Sequence, residues 1–294
     1  MAIKKVFVVG AGLMGGGITQ VAATAGYRVA MRDIAQEPLD RSMKEIERSL
    51  GKFASKEKIT EEQANQALAN ITPTTEMADA ADADLVIEAV FEKIDLKQDV
   101  FKQLDEICKP DCILATNTSA ISITSIASVT KRPDVVVGTH FFSPVPMMKL
   151  CELIYGLETS DETMKAVEAF AQDIGKETVV VRKDVAGFIA NRVGLAMSGA
   201  AIDLVAAGVA TPQDVDKTMK LGFAHRMGPL ETADLTGIDV LMNAMKAIYN
   251  ETQDERYWPP ELMQRMVAAG LMGRKTKKGF YDYSSGEQVA YWEL

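Results

Sequence analysis

The chain is poor in the residues that metal and disulfide proteins depend on: its 294 residues include two histidines and three cysteines. No paired ligand spacing of the C-x2-C or H-x3-H type can be drawn from so few, which excludes a structural zinc site and a disulfide scaffold. Basic residues are also in deficit, 32 Lys+Arg against 41 Asp+Glu for a formal charge of −9. No basic face is left for nucleic acid, so any anion site must be local. Long apolar runs are missing as well. The first, Val6 to Val9, runs straight into glycines and is too short for a signal segment or a membrane span. The stretch 187–209 is broken by Asn191, Arg192 and Asp203, which suits a buried helix. At 47% apolar, however, the chain is too hydrophobic to be disordered. At about 150 residues per domain, its length accommodates two domains. The expectation is a two-domain cytoplasmic protein of a reducing compartment, without metal, membrane or nucleic-acid partners.

Up to about Asp184, short apolar runs alternate with helical stretches. Residues 5–9, 27–31, 85–89, 112–115, 135–138, 150–154 and 178–181 read as strands. Residues 15–24, 38–54, 61–69, 94–107, 123–127 and 162–174 read as helices. Such alternation predicts parallel crossover units and hence a Rossmann-like, doubly wound α/β sheet domain over 1–184. Beyond it, 187–207, 211–221, 229–249 and 260–269 carry apolar residues at helical spacing, punctuated by Gly208, Gly222, Gly228 and Gly270. Residues 185–294 therefore read as an all-α domain. Cys108 and Cys112, at C-x3-C spacing, read as buried thiols, and Tyr257-Trp258-Pro259-Pro260 either lines an acyl pocket or staples a dimer, the structural reading being favoured.

Gly10-Ala11-Gly12-Leu13-Met14-Gly15 follows the first strand and opens the first helix, the context in which G-x-G-x-x-G carries meaning. One glycine turns the chain, one lets a pyrophosphate approach the backbone, and one packs helix on strand; Gly17 extends the series. The helix terminus then offers N–H groups and a partial positive charge to phosphates. Asp33, 21 residues after Gly12, is placed to accept from ribose hydroxyls and to repel a 2′-phosphate. NAD is favoured, with Arg32 as the one neighbour that leaves room for NADP.

Alcohol oxidation by hydride transfer needs a base for the hydroxyl proton. His140 follows the predicted strand 135–138, at the sheet edge where open parallel sheets bind ligands. Glu152, in the run M-K-L-C-E-L-I, is costly to bury alone and is a natural partner for an imidazole. On spacing alone, a core histidine satisfied by a backbone carbonyl fits equally well.

The motifs as a set resemble the NAD-dependent (S)-3-hydroxyacyl-CoA dehydrogenase family, closest to its bacterial 3-hydroxybutyryl-CoA members. The resemblance covers essentially the whole chain. Its blocks are G-A-G-L-M-G-G-G from Gly10, Asn117-Thr118-Ser119, T-H-F-F-S-P from Thr139, Met148-Lys149-Leu150, G-F-I-A-N-R from Gly187, Met227-Gly228-Pro229, and Gly273-Arg274-Lys275-Thr276 running to Gly279-Phe280-Tyr281. It implies His140 as general acid/base, Glu152 as its orienting carboxylate, and Ser119 and Asn191 on the substrate oxygen. It implies NAD contacts from Gly10, Gly12, Leu13, Met14, Gly15, Gly17, Asp33, Glu92, Lys97, Ser119, Ser143 and Lys275. Ser49 and Lys56 fall where the family holds coenzyme A, although lysines in the charged piece 52–62 read first as a solvated surface. An acyl-CoA thioester substrate and a homodimer built on the helical domain are further implications. Three positions depart from the family pattern: Ser143 replaces an asparagine, Ala120 a serine, and Ala186 a proline at the domain junction. Two other functions remain to be separated from this one: a hydroxy-acid dehydrogenase without a CoA handle, and a non-catalytic relative of the lens crystallin kind.

Overall fold

The β-branched run K-V-F-V-V forms strand β1 (Lys5–Val9), buried on both faces, at the centre of a sheet assembled by the first half of the chain. The computed structural model describes residues 3–290. It divides into two units, one ending at Val185 and the other beginning at Ala186.

In the first unit β1 is followed by α1 (Leu13–Thr24), β2 (Arg28–Arg32), α2 (Gln36–Ser55), α3 (Glu61–Ala69), β3 (Ile71–Thr74), β4 (Leu85–Glu88), α4 (Ile94–Ile107), β5 (Ile113–Thr116), α5 (Ile123–Ala127), β6 (Val136–Phe141), β7 (Leu150–Tyr155), α6 (Asp161–Asp173) and β8 (Glu177–Val181). The strands order as β3-β2-β1-β4-β5-β6-β7-β8. Order therefore reverses between β1 and β4, and open α/β sheets bind ligands in the crevice beyond the carboxyl ends of such a pair. The core is the sheet's apolar ladder with the inner faces of the helices, including Val6, Val8, Ile18, Met31, Leu39 and Ile87. Each such side chain contributes about 1.5–3 kcal/mol by leaving water.

Three features depart from the sequence expectation. Strand β3, I-T-P-T, was hidden by Pro73; the residue is tolerated because β3 is an edge strand, where a missing N–H interrupts no ladder. Strand β7 runs antiparallel to β6 rather than parallel. The connection 142–149 contains no helix, and only a crossover returns a strand parallel. The strand holding His140 also extends to Phe141, so His140 lies inside it and not beyond its end.

The second unit contains α7 (Ala190–Ala206), α8 (Pro212–Gly222), α9 (Pro229–Thr236), α10 (Ile238–Thr252) and α11 (Glu261–Ala268), then a short hairpin of β9 (Tyr281–Asp282) and β10 (Val289–Ala290). The single helix expected over 229–249 is two, divided at Gly237, whose φ of +106° no helix accommodates. Leu195, Ile202, Leu230, Met245, Ile248 and Phe280 share the core. Two buried carboxylates tie the segment after α11 to that core. Asp234 accepts from the N–H groups of Phe280 and Tyr281 and from the Tyr283 hydroxyl. Asp216 accepts from the N–H groups of Leu230 and Glu231 and from the Tyr281 hydroxyl. Burial pushes both carboxyls above the usual aspartate range, against these hydrogen bonds. The motif Gly279-Phe280-Tyr281 is thus a lock within this unit. Cys108, Cys112 and Cys151 are free, buried thiols. No described helix is long and apolar enough to cross a membrane.

Candidate active site

The glycine loop lies in the crevice at the carboxyl ends of β1 and β4. Gly10 has φ +104°, and a Cβ there would stand 2.8 Å from the Ala89 carbonyl oxygen. A Cβ at Gly15 would stand 1.7 Å from the Gly10 carbonyl oxygen, so neither position admits a side chain. At Gly12 a Cβ would meet nothing within 4 Å. The backbone there is open from outside, and α1 begins at the next residue with no capping side chain and no acid in its first turn. Its first N–H groups have no partner within the helix and carry the positive end of its dipole. This fits a pyrophosphate. Asp33 accepts from Ala11 N–H on Oδ2 at 2.8 Å and from Ile34 N–H on Oδ1 at 2.8 Å, so each oxygen keeps acceptor capacity for a ribose hydroxyl. Arg32 turns its Nε to the Thr75 carbonyl at 3.3 Å.

His140 and Glu152 are directly opposite in the antiparallel β6–β7 pair. Their alternating side chains project to the same face, and Nδ1 meets Oε2 at 2.7 Å. His140 is 4% exposed and Glu152 1%. A carboxylate only accepts, so the proton of this bond sits on Nδ1. The 12-residue separation that gave no decision in sequence is the register of a hairpin.

Ser119 sits on the loop after β5, held from three sides. Asn117 Oδ1 accepts from Phe141 N–H at 2.9 Å, joining the loop to β6 one residue beyond His140. Glu92 Oε1 accepts from the Thr118 hydroxyl and from the N–H groups of Ser119 and Ala120, at 2.5, 2.7 and 3.1 Å. Lys97 Nζ donates to Glu88 Oε1 and Oε2 at 2.8 and 3.1 Å, and lies 3.3 Å from Glu92 Oε2. Lys97, expected among the cofactor contacts, is fully buried. Its ammonium acts as a strut beneath the loop, and Glu92 is the member of this set that reaches the surface. Glu88 was not singled out from the sequence, and Asn117 entered only as part of the Asn117-Thr118-Ser119 block. The signal for Glu88 was a carboxylate ending the otherwise apolar strand L-V-I-E, whose oxygens also take Val90 N–H and the Thr116 hydroxyl.

Ser49 and Lys56 line one groove of about 310 Å³ together with Lys52, Phe53 and Lys58. Gly12, Leu13, Gly16 and Gly17 of the glycine loop and α1 line the same groove, as do Pro144, Val145, Pro146 and Met147. Met14 instead turns inward and packs on the core. Ser143 is exposed and precedes the cis-Pro144 of the connection between β6 and β7. Asn191 and Lys275 belong to the second unit: Asn191 is half-buried in the first turn of α7, and Lys275 Nζ pairs with Asp239 Oδ2 at 2.6 Å.

Residues 5–185 match the family described as 3-hydroxyacyl-CoA dehydrogenase, NAD binding domain, and residues 187–283 match its C-terminal domain. The chain is 47% identical over 279 residues to a probable 3-hydroxybutyryl-CoA dehydrogenase of Deinococcus radiodurans, covering 95% of this chain and all of that one. It is 45% identical over 280 residues to the 3-hydroxybutyryl-CoA dehydrogenase of Clostridioides difficile, covering 95% and 99%. Among solved structures, (S)-3-hydroxybutyryl-CoA dehydrogenase from Ralstonia eutropha superimposes with a TM-score of 0.92 at 44% identity, covering 96% of this chain and all of that one. The protein belongs to the 3-hydroxyacyl-CoA dehydrogenase family and is an NAD-binding oxidoreductase.

Proposed function

We propose that the protein interconverts (S)-3-hydroxybutyryl-CoA and acetoacetyl-CoA, with His140 as the proton-transfer group. The observation that carries this reading is the buried His140–Glu152 pair, 2.7 Å apart and fixed by strand register. NAD, when bound against the glycine loop, supplies the acceptor for the C3 hydride. In that direction Nε2 of His140 takes the 3-hydroxyl proton, and the positive charge that develops on the ring is met by Glu152 through Nδ1–H. The carboxylate also holds the ring against rotation, as in a triad. In the reverse direction the imidazolium returns the proton to the oxygen at C3. Ser119 supports this by donating to the substrate oxygen from a loop whose backbone is clamped by Glu92. Asn191, which the family resemblance also assigns to the substrate oxygen, belongs to the second unit.

The groove at Ser49 and Lys56 supports a CoA handle. Its lysines sit beside an apolar floor of Phe53 and Ile46, matching a nucleotide with phosphates. This placement also explains how a chain of charge −9 holds two anionic ligands: a helix terminus and a few lysines act locally. NAD, rather than NADP, is supported by the Asp33 carboxylate and by Arg32 being turned to Thr75. Exposed Val193, Leu204, Val209, Leu221 and Phe223 on the helical unit support a homodimer, and we place the enzyme in the cytoplasm.

The test compares 3-hydroxybutyryl-CoA, its N-acetylcysteamine thioester and free 3-hydroxybutyrate, each with NAD and with NADP. The expected kcat/KM for the CoA thioester exceeds that for the truncated thioester by about 100-fold, or about 2.7 kcal/mol, with negligible turnover of the free acid. Equal turnover of the free acid would assign the site to a hydroxy acid without a CoA handle. No turnover of any of the three would leave a binding protein.

A further inference from the structure

Lys176 stands between α6 and β8, is 7% exposed, and faces no carboxylate within ion-pair distance among the described residues. Its ammonium instead donates to two backbone carbonyls of the connection between β6 and β7, Val145 at 2.5 Å and Met148 at 2.8 Å. The next residue adds a third link, Glu177 N–H to the Lys149 carbonyl at 2.9 Å. Burying a lysine without a counter-ion is costly, and burial pushes this ammonium below the ordinary lysine range, only partly offset by the neighbouring Cys151. A methionine or leucine would fill the same space at less cost. What lysine adds is a clasp on two carbonyls that point to the same spot.

The clasped segment lines the groove through Pro144, Val145, Pro146 and Met147. Val145 is 2% exposed and packs against α1 so closely that a Cβ at Gly17 would stand 2.8 Å from Val145 Cβ and 3.5 Å from Pro146 Cδ. The segment also closes on itself, with Met147 and Met148 N–H donating to the Pro144 carbonyl at 2.9 and 3.0 Å. It is therefore a small rigid turn, pinned by Lys176 on one side and seated on the phosphate-binding helix on the other.

We propose that Lys176 is a positioning residue for the nucleotide end of the thioester: by holding the Val145 and Met148 carbonyls it seats the 142–149 connection on α1 and sets the shape of the groove that receives coenzyme A. This rests on the reading of the groove as the CoA site. The His140–Glu152 bond is set by the β6–β7 strand register and not by the clasped turn, so loss of the clasp is expected to act on the handle.

The experiment measures kcat and KM of the full chain for 3-hydroxybutyryl-CoA and for the N-acetylcysteamine thioester, in wild type, Lys176→Met and Lys176→Gln. Lys176→Met, which removes both carbonyl hydrogen bonds, is expected to raise KM for the CoA thioester about ten-fold. Its kcat, and both constants for the truncated thioester, should stay within about two-fold of wild type. Lys176→Gln, which keeps an amide donor, should fall between and carries the test if Lys176→Met does not fold. A purely structural role would lower activity on both thioesters by one common factor, and that result, or no change on either, overturns the proposal. A wild type without preference for the CoA thioester would instead refute the reading of the groove.

Discussion

Replacing His140 with alanine or glutamine is expected to lower kcat for thioester oxidation by about 10²–10⁴-fold, the usual worth of a positioned proton-transfer group. NAD affinity, followed by fluorescence titration, should hold within a few-fold. The glycine loop, Asp33 and the α1 terminus are bonded among themselves and owe nothing to the imidazole. The two variants should differ in stability. Alanine removes the donor that the Glu152 carboxylate, 1% exposed, meets on the facing strand. Glutamine keeps an N–H within reach and should unfold closer to wild type. Comparable losses of activity in both variants, with unequal losses of stability, would separate the missing proton transfer from damage to the fold.

The second large effect concerns the strut under the Ser119 loop. Lys97 and Glu88 are both fully buried. Lys97→Met leaves Glu88 as an uncompensated buried charge facing Glu92, and breaking such a pair costs about 3–5 kcal/mol. Urea unfolding should show that loss. Adding Glu88→Gln to Lys97→Met removes the stranded charge and should restore most of the stability, since an ion pair replaced as a whole is often near neutral. The double variant should still turn over slowly, because Glu92 would clamp the Thr118–Ala120 backbone without the ammonium 3.3 Å behind it. A Lys97→Met protein within about 1 kcal/mol of wild type would show that the strut does not hold this region.

Local chemistry makes part of this site legible in the sequence. The glycine loop is written in consecutive residues, although only one of its constraints is local: Gly15 stands against the Gly10 carbonyl, Gly10 meets Ala89 after β4, and Gly12 stays open. The His140–Glu152 pair was readable only as a possibility, because a separation of 12 residues becomes a contact solely when the connection turns back antiparallel. Nothing in residues 142–149 announces that turn by periodicity. Strand β3 escaped notice because Pro73 is a breaker everywhere but on an edge, and edge position belongs to the assembled sheet. Gly237 failed as a signal for a related reason: a lone glycine in a helical pattern is tolerated as often as it breaks one. Lys97 is the most instructive residue. The family resemblance alone put it among the cofactor contacts, and the carboxylates it pairs with lie 9 residues back on β4 and 5 residues back on the loop between.

The central claim is that His140 and Glu152 act as one unit, and a double-mutant cycle on the chemical step tests it most directly. Single-turnover oxidation, with saturating NAD and thioester, would be timed for wild type, His140→Gln, Glu152→Gln and the double variant. If Glu152 works only through the imidazole, the double variant should be no slower than His140→Gln within about two-fold, since groups that act as a unit are not additive. Losses that multiply, with the double variant slower than His140→Gln by the full Glu152→Gln factor, would contradict the account.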